Sequence, residues 1–148
     1  MPEFNTRLSR LIVLPTTHSN SVTGYDDLGR ALSDIGKERA QEQAERFQSF
    51  EVELVLTSPA NRCKQTAKIA FPGRELVVVD ELYVKPDLRD ALGYLRDALS
   101  LESANLSDYI GGDTAGRLLR WGWDATIGIH REIKRRRSLS IAVVGHAG

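Results

Sequence analysis

Cysteine is almost missing from this 148-residue chain. Cys63 stands alone, so no disulfide can close within it, and a reducing, cytoplasmic setting is expected. The opening Met1-Pro2-Glu3-Phe4-Asn5 lacks the apolar core of a secretory signal. No stretch approaches the roughly 18 apolar residues that cross a bilayer, so no membrane association is expected. A charge of one sign is missing too. Lys+Arg and Asp+Glu both number 20, giving a formal net charge of zero. A nucleic-acid partner is not expected either, because holding many phosphates needs a basic excess. The one basic run, Arg131 to Arg137, reads as a helix C-terminus that complements the helix dipole.

Several catalytic signatures are absent as well. There is no GxxxxGK[ST] loop, no GxGxxG after a strand and no GxSxG elbow. Cys63 has Ile69 rather than arginine six positions on, which excludes a cysteine phosphatase loop. Three histidines and one cysteine form no HxxxH or CxxC pair, a weak basis for a metal.

What is present is an ordinary globular composition, 41% hydrophobic and 27% charged, of a length that suits one domain over residues 1–148. Leu11 to Leu14 is a short apolar run, as in a strand covered on both faces. The Pro-, Ser-, Thr- and Gly-rich residues 15–29 read as a loop. Ser33 caps a predicted helix over 34–48. Val52 to Leu56 predicts a second strand, and Ser58-Pro59 predicts the cap and first position of a helix running to Ala70. Pro72-Gly73 ends it, and Leu76 to Val79 predicts a third strand. Pro86-Asp87 opens a helix with Leu88, Ala91, Leu92, Leu95 and Leu99 on one face. Residues 100–112 look irregular. A long helix over 113–136, weakened by Gly116, Gly122 and Gly128, precedes a last strand over Ser140 to Val144. This alternation predicts an α/β fold with a mainly parallel sheet.

In open α/β sheets, ligands bind beyond the carboxyl ends of strands. Leu14 leads into Thr16, Thr17 and His18. Leu56 leads into Thr57, Ser58 and Arg62, and Val144 leads into Gly145 and His146. If these strands are parallel neighbours, two histidines and an arginine meet on one rim. The helix start at Ser58 favours an anion through its free N–H groups, and Arg62 in its first turn carries a phosphate-matching fork. Arg62 and Lys64 read equally as a solvated helix face. His130, beside Arg131, reads as structural or exposed.

Three segments resemble motifs of the histidine phosphatase (phosphoglycerate mutase-like) superfamily. Thr57-Ser-Pro-Ala-Asn-Arg-Cys-Lys-Gln-Thr-Ala67 is similar to its SPxxRxxQTA motif. Asp27-Leu-Gly-Arg-Ala-Leu-Ser-Asp-Ile-Gly36 resembles the DxxRxL[ST]xxG of its small phosphohistidine phosphatase branch. Val143-Val-Gly-His146 resembles the closing VxGH. The resemblance implies a three-layer α/β/α sandwich and phosphoryl transfer without a metal or other cofactor. A histidine after the first strand would attack phosphorus, arginines and a second histidine would hold the oxygens, and water would then release phosphate. Carried over by position, Arg30, Arg62 and His146 match family residues. Asp80 or Glu81 lies near where mutase-like members keep an acid, and the general acid stays open. The family normally continues past its second histidine, so the resemblance implies either a domain cut short at the C-terminus or a thin last layer with His146 near a frayed end.

The first motif departs from the family's Arg-His-Gly. With a small insertion, His18 is the nucleophile and Thr17 and Ser19 replace its neighbours. Without one, Pro15 and Thr16 fill the arginine and histidine positions and no nucleophile is present. Two functions therefore stand as expectations. One is a phosphatase acting on phosphohistidine or a small phosphomonoester, with His18, Arg62 and His146 catalytic and Arg30, Arg62, Ser58 and Thr17 holding phosphate. The other is a pseudophosphatase that binds a phosphorylated ligand or partner. Pro15, which donates no ladder hydrogen bond, predicts that the first strand stops near Leu14.

Overall fold

The computed structural model describes residues 10–19, 26–89, 113–137 and 140–146. Within them run β1 (Arg10–Pro15), α1 (Asp34–Phe47), β2 (Leu54–Thr57), α2 (Asn61–Ala70), β3 (Glu75–Val78), a 3-10 turn (Asp80–Leu82), a helical turn over 86–89, α3 (Asp113–Arg136) and β4 (Ser140–Gly145). The strands pair in parallel in the order β1-β4-β2-β3. The expected α/β architecture is present. The predicted stripe from Ala91 to Leu99 and the irregular residues 100–112 lie outside the described residues.

Burial follows from strand position. β2 and β4 are central, and their apolar runs are buried on both faces. One face packs Val55, Ala142 and Val144 against Ala60, Cys63, Ala67 and Phe71 around α2. The other packs Leu54, Leu56, Ile141 and Val143 against Ala125 and Ile133 of α3, with Trp121 and Ile129 partly buried beside them. Those four α3 residues recur every four positions, the stripe that lays a helix on a sheet. Helices on both faces make three layers.

β1 corrects one expectation. Among the described residues it pairs only with β4, and it is covered on one face only. Ile12 and Leu14 are buried, while Leu11 and Val13 are 51% and 70% exposed. This edge placement also accommodates Pro15, which belongs to the strand rather than following it. Thr16 N–H donates to Gly145 O at 2.7 Å, so the ladder's alternation turns the missing N–H of Pro15 toward the open edge. A second correction concerns α2. It starts at Asn61, two residues after Pro59, and Ala60 caps it without a side-chain hydrogen bond. Ser58 stands outside the helix: its hydroxyl accepts from Ala60 N–H at 3.4 Å, ahead of the first helical residue, and lies 2.9 Å from His146 Nε2. Ser33 does cap α1, accepting from Gly36 N–H at 3.1 Å.

Because the strands are parallel, Pro15, Thr57 and Gly145 end on one rim. Ser58 N–H donates to Val144 O at 3.1 Å there. The segments leaving β1, β2 and β4 are thereby brought together.

Candidate anion-binding active site

His146 leaves the end of β4 half-buried between residues from three other segments. Ser58 Oγ is 2.9 Å from its Nε2, and Arg62 donates through one NH2 group to its Nδ1 at 3.0 Å. A guanidinium cannot accept a hydrogen bond, so Nδ1 carries the lone pair and Nε2 carries the proton. Burial and the Arg62 charge push the ring's pKa down to about 4, so it is neutral at pH 7. The Tyr83 ring meets it edge-on at 5.6 Å.

Arg62 itself is only 2% exposed, which removes the solvated-face reading of that residue. Its partner is Asp27. Arg62 donates to the Asp27 backbone O at 2.7 Å and to Oδ2 at 3.3 Å. Arg30 and Arg89 each donate to Oδ1 at 3.0 Å, and Tyr83 OH donates to Oδ2 at 2.8 Å. Burial alone would raise the Asp27 pKa. The hydrogen bonds from Tyr83 and Arg89 and the charges of Arg62 and Arg89 more than reverse that and hold it near 2. One ionised carboxylate thus fixes three guanidinium groups. Arg30 Nε–H remains buried without a partner among the described residues.

The segment after β1 forms the facing wall. His18 Nδ1 lies 2.7 Å from Ser33 Oγ. The same hydroxyl accepts from Gly36 N–H and lies 3.3 Å from His18 O. All three contacts are satisfied when Nδ1–H donates to Oγ and the hydroxyl donates to His18 O, which leaves the lone pair on Nε2. Thr17 donates its hydroxyl proton to Gly36 O at 2.7 Å, and its N–H faces Thr66 Oγ1 at 3.4 Å. Gly36 is needed where it stands: a Cβ there would lie 1.9 Å from His18 O.

His18, His146, Arg30, Arg39, Arg62 and Arg89 line one cavity of about 370 Å³, with Thr16 and Thr17 on its wall. Of the residues singled out in the sequence, it brings together His18, Thr17, Arg30, Arg62 and His146. Ser58 is the exception. It is fully buried behind His146 and holds that ring instead of facing the cavity. Glu81 is turned to α3, accepting from Arg131 at 2.6 and 3.1 Å, and neither it nor Asp80 lines the cavity. Asp27, Tyr83, Arg89 and Arg39 received no role from the sequence. Asp27 opens the DxxR segment and could have been noticed there, whereas the others carry no local signal. A larger cavity of about 670 Å³ lies at the amino ends of the strands, bordered by Arg10, Arg74 and Glu51, away from the rim where α/β ligands bind. Among the described residues, no group of three His, Cys, Asp or Glu side chains is placed to hold a metal ion, and no helix is long and apolar enough to cross a membrane.

A parallel α/β/α sandwich with arginines and histidines gathered at its carboxyl rim defines a class of phosphate-handling proteins. Residues 16–99 match the family model of the histidine phosphatase superfamily (branch 1), and the chain belongs to that superfamily. None of the curated proteins matches it. Among solved structures it is similar to the Agrobacterium tumefaciens protein named phosphohistidine phosphatase SixA, with 22% identity, TM-score 0.53, and 93% of this chain and 68% of that one covered. It is also similar to the α-ribazole phosphatase of Shigella flexneri, at 20% identity and TM-score 0.57, covering 93% and 73%. The phosphoglycerate mutase of Bacillus anthracis shares 13% identity at TM-score 0.62, covering 92% and 74%. At these identities the likeness is one of fold. The chain spans about two thirds to three quarters of these structures.

Proposed function

We propose that the cavity hydrolyses a phosphohistidine or a small phosphomonoester through a covalent intermediate on His18. The observation that carries this reading is that His18 and His146 border the same small cavity as Arg30, Arg62 and Arg89. His18 Nε2 would use its lone pair to form a bond to phosphorus, while the bond from phosphorus to the leaving oxygen or nitrogen breaks and the leaving group takes a proton from solvent. Ser33, accepting from Nδ1–H, selects the neutral tautomer whose lone pair is on the attacking Nε2. The guanidinium groups and the Nε2–H of His146, turned from Ser58 to a phosphoryl oxygen, hold the negative charge of the transition state. Water then cleaves the N–P bond, and inorganic phosphate leaves. His18→Ala is expected to abolish phosphate release from p-nitrophenyl phosphate or phosphohistidine while vanadate still binds. Unchanged turnover in that variant would remove His18 from the mechanism.

A second reading has its own support. Thr16, not a histidine, extends the β1 ladder one residue past Pro15 beside Gly145, the place where the family's nucleophile would stand without an insertion. The same arginines would then bind a phosphorylated ligand or partner and leave it intact. Vanadate binding without phosphate release from either substrate favours this pseudophosphatase.

A further inference from the structure

We propose that Arg39 selects, for the phosphate-binding cavity, small substrates that carry a second anionic group beside the phosphate. This rests on the reading of the cavity as a phosphate site. Arg39 differs from the other three arginines that line it. Arg30, Arg62 and Arg89 are tied to Asp27. Arg39 lies exposed on α1, one turn beyond Gly36, borders the cavity, and makes no hydrogen bond or ion pair among the described residues. It therefore stands on the His18 side of the cavity, away from the Asp27 cluster.

Charge and size both ask for more than a phosphate. Among the described residues, four guanidinium groups against one Asp27 carboxylate leave a formal charge of 4 − 1 = +3, with the histidines set aside. No Asp or Glu lines the cavity among the described residues. A phosphomonoester brings about −2, so one cation remains unmatched. The cavity, about 370 Å³, is at the lower end of the roughly 300–1,000 Å³ of small-molecule sites. It has room for a phosphate and a few further heavy atoms. A carboxylate or second phosphate on the same molecule would meet Arg39, whose planar fork suits either group.

Calorimetric titration of the full chain with phosphoglycolate and with ethyl phosphate tests this, since the two differ mainly by the carboxylate. The wild-type protein is expected to prefer phosphoglycolate by about fivefold, the upper size of one ion pair at an exposed site. Arg39→Gln is expected to reduce that preference to about twofold or less, and Arg39→Lys to keep part of it. Equal binding of the two ligands by the wild type, or an undiminished preference in Arg39→Gln, overturns the assignment. Ethyl phosphate binding reports the phosphate site independently. If neither ligand binds, the cavity is not a phosphate site and the assignment falls with it. A dependence on Arg39 seen only with a phosphohistidine peptide flanked by acidic residues would overturn the small-molecule form of the proposal.

Discussion

Asp27 is the residue on which the cavity turns. A lone guanidinium in a half-buried site has many rotamers and a large desolvation cost, and a shared carboxylate removes both problems for three of them at once. Asp27→Asn keeps the shape and removes the charge. Arg30, Arg62 and Arg89 are then left with uncompensated positive charge, and stability in urea is expected to fall by about 2–4 kcal/mol, near the usual cost of breaking a buried ion pair. Inorganic phosphate supplies the missing negative charge. It should therefore raise the melting temperature of Asp27→Asn more than that of the wild type. An equal phosphate-induced shift in both proteins would mean that Asp27 does not organise the anion site. This cluster was not legible in the sequence. Arg62, Tyr83 and Arg89 lie 35, 56 and 62 residues from Asp27, and only folding brings them within hydrogen-bond reach.

At the scale of elements, the legible parts are those set by local rules. Ser33 caps α1, the alternation of strands and helices produces a parallel sheet, and α3 spans the predicted range of 113–136. The parts that failed depend on neighbours. Leu11 and Val13 look like a doubly covered strand, yet among the described residues their strand pairs with β4 alone and both side chains are exposed. Ser58-Pro59 looks like a helix start, yet α2 begins at Asn61 and the Ser58 hydroxyl is shared between Ala60 N–H and His146. The glycine of the DxxRxL[ST]xxG segment has a reason that only the fold supplies: α1 begins in contact with the His18 backbone. Gly36→Ala should push that backbone away. The expected cost is about 1–3 kcal/mol, typical of overpacking, with loss of phosphate release exceeding the loss of vanadate binding. Gly128 is crowded in a milder way. A Cβ there would lie 2.8 Å from Val79 Cγ1 and 3.0 Å from the flexible end of Glu81, and side-chain shifts can relieve that.

Taken as a whole, the molecule is neutral, but its charge is unevenly placed, with cations gathered at one rim of the sheet. That arrangement has a pH consequence. His146 has a folded pKa of about 4 against 6.5 for an unperturbed histidine, so the unfolded chain binds more protons between those values. Asp27 has a folded pKa of about 2 against 3.8 for an unperturbed aspartate, so the unfolded chain again binds more protons there. Both contributions have the same sign. Each is fully present above the unfolded chain's pKa and lost as pH falls through the folded one. Urea midpoints should hold steady between about pH 7 and about pH 8, fall between pH 6.5 and 4, and fall further below pH 3.8. A His146→Gln variant should lose the upper part of that decline and keep the lower. The uneven charge also explains why composition could exclude a broad basic surface without revealing the cavity.

The central claim is that His18 carries phosphate during turnover, and trapping that intermediate tests it most directly. The full chain would be mixed with radiolabelled phosphoramidate, quenched in base and digested for peptide mapping. Base-stable, acid-labile label on the peptide containing His18, absent from His18→Ala, is the predicted result. Phosphate release by the wild type with no label on His18, or label that survives in His18→Ala, would contradict it.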